Sequence, residues 1–141
     1  MPPECPEVLY ALLCEDIRVE ADQKITLLGL WGGVMRAFAR PPAAVATLAA
    51  HAHVTLAARE GYKAHLELSL PGGVPPFVHE VDLPAAAGDA ASGQNLNLRY
   101  FNAPLVETGD VELVVRIEGP DGQTQEVLRR LRVVFEPPEP D

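Results

Sequence analysis

Apolar and polar residues alternate with a period of two along much of this chain. Leu48, Ala50, Ala52, Val54 and Leu56 alternate with Ala49, His51, His53, Thr55 and Ala57. Ala64, Leu66, Leu68 and Leu70 alternate with His65, Glu67 and Ser69, and Leu96, Leu98 and Tyr100 with Asn97, Arg99 and Phe101. Val111, Leu113, Val115 and Ile117 do the same against Glu112, Val114, Arg116 and Glu118. Successive side chains of a strand point to opposite faces, so this pattern predicts half-buried strands. Gly119-Pro120-Asp121-Gly122 is a turn sequence, and Val127, Leu131, Val133 and Phe135 supply a return strand, which together predict a long terminal hairpin.

Toward the N-terminus, an apolar run over 8–13 leads into a charged patch at Cys14, Glu15, Asp16, Arg18 and Glu20. A polar break at Asp22, Gln23 and Lys24 is followed by a second apolar run, 25–30, ending at Trp31. Two apolar runs split by a polar turn predict a hairpin. Gly32 and Gly33 mark a bulge or a change of direction before 34–38, and Pro41-Pro42 closes this part. The stretch 43–58 is rich in Ala, which favours helix, but Val45, Thr47, Val54 and Thr55 are β-branched. The expectation is a strand from Leu48 onward, with a short helical turn open over 43–47. A turn at Arg59, Glu60 and Gly61 then joins this strand to 64–70 as a second antiparallel hairpin.

Pro71-Gly72-Gly73 and Pro75-Pro76 form a loop, 77–83 a short strand suited to a sheet edge, and 85–93 a surface loop of small residues. Eight or nine short strands without a long amphipathic helix predict an all-β fold. The architecture expected is an antiparallel two-sheet β-sandwich, immunoglobulin-like, with a barrel as the other closure. The domain reading is an N-terminal extension over 1–7, one sandwich domain over 8–135, and a disordered Pro-rich acidic tail over 136–141.

Composition narrows the partners. The 141 residues carry a formal charge of -9, and nine of the eleven basic residues are scattered arginines. Nucleic acid and anionic membrane surfaces need clustered positive charge, so neither is expected as a partner. No segment approaches the roughly 20 apolar residues that span a bilayer, and the first residues lack a signal-peptide pattern, which points to a cytoplasmic protein. Abundant Ala and the excess of Arg over Lys suggest a GC-rich bacterial genome. In a reducing compartment Cys5 and Cys14 are expected as free thiols.

The stretch Ala11-Leu12-Leu13-Cys14-Glu15-Asp16-Ile17-Arg18-Val19-Glu20, followed by Lys24-Ile25-Thr26-Leu27-Leu28-Gly29, resembles the opening of an uncharacterised bacterial family of small all-β domains. Two positions depart from that pattern: Glu15 stands where an Asp is usual, and Gln23 where the turn Gly is usual. The resemblance implies a small all-β domain without an assigned activity.

Candidate chemistry is sparse. Glu15-Asp16 suggests a paired-carboxylate site, yet strand alternation would part the two groups, and Asp16 is better read as a turn anchor or a partner of Arg18 or Lys24. His51-x-His53 places two imidazoles on one face. If the hairpin turns near Glu60, Glu67 lies across and His65 diagonally, a set able to hold zinc. A solvated face with polar histidines is the plainer reading, and no metal, cofactor or catalytic residue is assigned. Ser69 and Ser92 lack a nucleophile elbow, and 29–33 is not a phosphate loop.

Trp31, Tyr62, Tyr100 and Phe101 are read as closing the core, with Phe101 the one most apt to face outward. Arg129, Arg130 and Arg132 are expected to pair with Glu112, Glu118 or Glu126. The functional expectation is a non-enzymatic module acting through its surface on a protein partner or on a second copy. The alternative is a small-ligand or metal-binding domain using the His51, His53 and His65 face or the loop from Ala85 to Gly93.

Overall fold

The computed structural model describes residues 6–21, 24–57, 60–85, 88 and 90–137. Among them the chain forms nine strands and no helix: β1 (Glu7–Val19), β2 (Ile25–Leu30), β3 (Val34–Ala37), β4 (Ala43–Leu56), β5 (Tyr62–Ser69), β6 (Phe77–Leu83), β7 (Ser92–Leu105), β8 (Gly109–Glu118) and β9 (Thr124–Phe135). They make two sheets, β2-β1-β4-β7 and β3-β9-β8-β5-β6, called here sheets A and B. Neither closes into a barrel.

The inward sets predicted from alternation form the core between the sheets. Leu48, Ala50, Ala52 and Val54 of sheet A lie in one buried cluster with Leu66, Leu68, Val111, Leu113, Val115 and Ile117 of sheet B. Small alanines on β4 share this cluster with larger Leu, Val and Ile side chains of sheet B, a combination of sizes that lets two layers approach closely.

Hairpins formed where turn chemistry is local. β8 and β9 pair from Glu118↔Thr124 to Gly109↔Val133. Their turn is closed by Gly119 N–H to Gln123 O and Gly122 N–H to Gly119 O, with Gly122 at φ 80°. β6 pairs only with β5 and forms the edge expected for 77–83.

The first hairpin is present but paired differently from the expectation. β1 runs unbroken through the charged patch. Its second half, Cys14 to Val19, pairs with β2, while its apolar first half pairs with β4. Cys14 and Ile17 lie in one buried cluster although strict alternation would part them. Gly29, at φ 62°, sits opposite this irregularity with Glu15 packed against it, close enough that a Cβ there would meet the Glu15 side chain. That backbone angle suits glycine and few other residues.

Four further expectations are corrected. The helical turn over 43–47 is strand, because β7 offers partners for Ala43, Ala44, Val45 and Thr47 and tertiary pairing overrides the helical propensity of Ala. β4 and β5 do not form a hairpin: β4 pairs with β1 and β7, whereas β5 pairs with β6 and β8. The chain crosses between sheets there, and Arg59 lies outside the described residues. Tyr62 pins the crossover, its hydroxyl accepting from Ala57 N–H (3.2 Å) and donating to Glu60 (2.9 Å). The sandwich is not wholly antiparallel, since β3 runs parallel to β9 after Gly32 and Gly33 carry the chain from sheet A to sheet B. Finally, Glu136 is not free tail: its N–H donates to Ala37 O (2.8 Å) and its carboxylate pairs with Arg36. The expected disorder of the rest of the tail falls at 138–141, outside the described residues.

One side of the sandwich is a seam closed by side chains. β2 covers only residues 14–19 of β1, and β3 covers only 132–135 of β9. Below those pairings the free edges of β1 and β9 face each other. Gln125 accepts from Val8 N–H, Arg129 Nε donates to Ala11 O (3.3 Å), and Trp31 N–H donates to Leu13 O (3.1 Å). These contacts satisfy backbone groups that a strand would otherwise pair.

Candidate functional site

The two outer faces differ in chemistry. Sheet B carries a ladder of cross-strand polar pairs: the ion pairs Arg116 with Glu126 (3.8 Å), Arg130 with Glu112 (3.1 Å) and Arg132 with Asp110 (3.6 Å), and the hydrogen-bonded pair His65 with Glu80 (3.2 Å). The register places each of these residues directly opposite its partner, so the pairs follow from alternation. The expected pairing of Arg130 with Glu112 is observed. Arg129 instead turns to the seam.

Sheet A carries fewer charges, and they gather on β1 and at Arg99 of β7. β2, β4 and β7 contain no acidic residue, and the three carboxylates of the sheet, Glu7, Glu15 and Asp16, all lie on β1. The centre of the face is a Tyr, His and Asn array. His51 Nδ1 donates to Asn97 Oδ1 (2.7 Å) and His53 Nδ1 to Asn95 Oδ1 (2.8 Å). The other ring nitrogen of His51, Nε2, is hydrogen-bonded to the Tyr10 hydroxyl (3.3 Å). The Tyr10 ring stacks on His53 with centroids 5.7 Å apart and an interplanar angle of 18°. His51 is 3% exposed, so one of the two histidines expected in water is instead a satisfied buried group.

His65 is not part of this array. The zinc set of His51, His53, His65 and Glu67 required a β4–β5 hairpin. Without it His51 and His53 lie on sheet A, and His65 and Glu67 on sheet B. Among the described residues no three His, Cys, Asp or Glu side chains are grouped to hold a metal ion. The residues that sequence reading missed are Tyr10, Asn95 and Asn97. Asn95-x-Asn97 repeats the spacing of His51-x-His53, but only the β4–β7 register sets the two pairs opposite each other.

Asp16 has a partner far away in sequence. Arg99 lies 3.3 Å from its carboxylate and also donates to Ile17 O, and Asp16 itself accepts from Ile17 N–H (2.8 Å). These contacts differ from the turn anchor expected: the N–H is that of Ile17 within β1, and the cation comes from β7. Next to this group Phe101 is 64% exposed, while Tyr100 turns inward against Phe77 with ring centroids 4.9 Å apart. Cys14 is a fully buried free thiol, and Cys5 lies outside the described residues.

The free edge of sheet A adjoins this face. β7 is fourteen residues long, is paired only with β4 among the described residues, and carries one cation and no acid. The other edges are blunter. β2 and β3 are six and four residues long, and β6 carries Glu80 and Asp82 between flanking prolines. No helix is long and apolar enough to cross a membrane among the described residues. No protein-family model and no curated protein matches the chain.

Proposed function

We propose that this chain is a non-enzymatic interaction module of immunoglobulin-like shape that associates with a second copy of itself along the β7 edge. The observation that carries the reading is the edge itself: a long strand, free on one side, in a molecule whose charge of -9 opposes self-contact elsewhere. Natural sandwiches usually blunt such an edge with charge or prolines, and an unblunted one is a template for strand pairing.

Antiparallel pairing of two β7 strands about a two-fold axis at Asn97 keeps inward residues opposite inward ones. Leu96 meets Leu98 of the other copy, and Arg99 meets Asn95, so no like charges face each other. Phe101 falls across from Gly93, beside the His53 ring that already covers this glycine within each copy. Gly93 is already constrained, since a Cβ there would come within 2.8 Å of His53 Nε2. The immunoglobulin-like part of the reading is supported by Tyr62, whose hydroxyl bonds back to the chain at the crossover as in the tyrosine corner of such domains. The opening from Ala11 to Gly29 supports kinship with the uncharacterised bacterial family it resembles. The unpaired Cys14 thiol fits a reducing, cytoplasmic setting.

Sedimentation velocity and native mass measurement test the association. The expected result is a dimer that Phe101→Glu converts to a monomer with an unchanged melting temperature. A wild-type monomer at hundreds of micromolar, or a dimer indifferent to Phe101→Glu, would overturn the reading.

A further inference from the structure

The seam between β1 and β9 opens into a cleft of about 380 Å³ beneath the crossing from sheet A to sheet B. Its wall is made by Leu12, Leu13, Leu30, Trp31 and Leu131. Arg129 and Arg130 also line it, and no carboxylate among the described residues does. The cleft at Tyr62 and the one along Lys63 and His65 both contain Asp82 and Glu118.

The two arginines are not equivalent. Arg130 is on the outer face and engaged by Glu112. Arg129 shares the inward parity of Val127, Leu131 and Val133, and holds the seam by donating from Nε to Ala11 O and from Nη1 to Leu128 O (3.1 Å). A guanidinium has five N–H donors, and these bonds engage two. Trp31 lines the cleft, and its indole N–H is buried without a hydrogen-bond partner among the described residues. Leu9, Leu30 and Leu128, on the strands and crossover that border the seam, are 50%, 58% and 40% exposed.

We propose that this cleft binds a small amphipathic carboxylate, its apolar body against Leu13, Leu30, Trp31 and Leu131 and its head group on Arg129. The volume lies within the range of small-molecule sites, and the combination of apolar walls with one cation selects an anion with a hydrocarbon body. The site is on the side of the sandwich away from β7, so it stands or falls independently of self-association.

Trp31 is the single tryptophan, so its emission reports on the cleft without a label. Titration with decanoate and with decanol, which share a chain and differ in charge, should give a saturable change for both. Decanoate should bind about tenfold more tightly, the increment of one charge-assisted contact. Arg129→Gln should remove that preference while leaving decanol binding unchanged, and Arg129→Lys should retain most of it. Absence of saturable change with decanoate up to its solubility limit would overturn the proposal. So would equal binding of decanoate and decanol by the wild type, or an Arg129→Gln variant that keeps the preference. Because the wild-type comparison decides by itself, a poorly folding variant leaves the test intact.

Discussion

The Cys14 thiol has no accessible surface, and it packs with Ile17 and Ala49 in a small cluster apart from the main core. Burial pushes its pKa from 9.0 up to about 11, with the carboxylate of Asp16 and then that of Glu15 opposing the thiolate further. The fold therefore holds the neutral form, and its contribution to stability is complete below pH 9.0 and is lost as pH rises from there through 11. In a Cys5→Ser background, urea unfolding should show a loss of up to about 2 kcal/mol across this window, and Cys14→Ala should lack it. Equal pH slopes for the two proteins would remove the argument. Cys14 was visible in the sequence only as one of two cysteines, since nothing nearby announces that Ala49 and Ile17 enclose it. His51 is similar: its place on the polar side of an alternating strand was legible, but its burial comes from Tyr10 and Asn97, 41 and 46 residues away.

Strands and tight turns were legible because their causes are local. Period-two alternation, Gly119-Pro120-Asp121-Gly122, and the prolines around β6 each act within a few residues. Crossovers were not, because a Gly-containing break such as 59–61 looks the same whether the chain turns back in one sheet or passes to the other. That one ambiguity moved β5 to the wrong neighbour and created the apparent three-histidine set. The seam shows how an element can depend on single side chains from another. Val8 is 8% exposed, and its N–H has the Gln125 amide as acceptor. Gln125→Ala should therefore cost about 1–3 kcal/mol, the penalty for leaving a buried donor unpaired, as measured by denaturant midpoint. A loss below about 0.5 kcal/mol, usual for surface changes, would mean that water replaces the amide.

At the scale of the molecule, charge is divided between the sheets. The strands of sheet B carry seven acidic residues, Glu67, Glu80, Asp82, Asp110, Glu112, Glu118 and Glu126, while those of sheet A carry three, all on β1. In the proposed pairing, two copies meeting at β7 would bring together surfaces of low charge, opposed by the long-range repulsion of two anions. Added salt shortens the screening length from about 30 Å at 0.01 M to about 8 Å at 0.15 M, so self-association should tighten as salt rises over this range. Sedimentation at the two ionic strengths measures this, and weakening with salt would indicate an ionic contact and argue against the β7 edge. The sequence by itself determined that the chain is all-β, which residues face a core, and where its tightest turns lie, because alternation and turn chemistry operate over a few residues. Only the tertiary structure decided which strands became neighbours, which edge was left open, and which polar side chains met, because those depend on backbone pairing between segments that the chain separates by tens of residues.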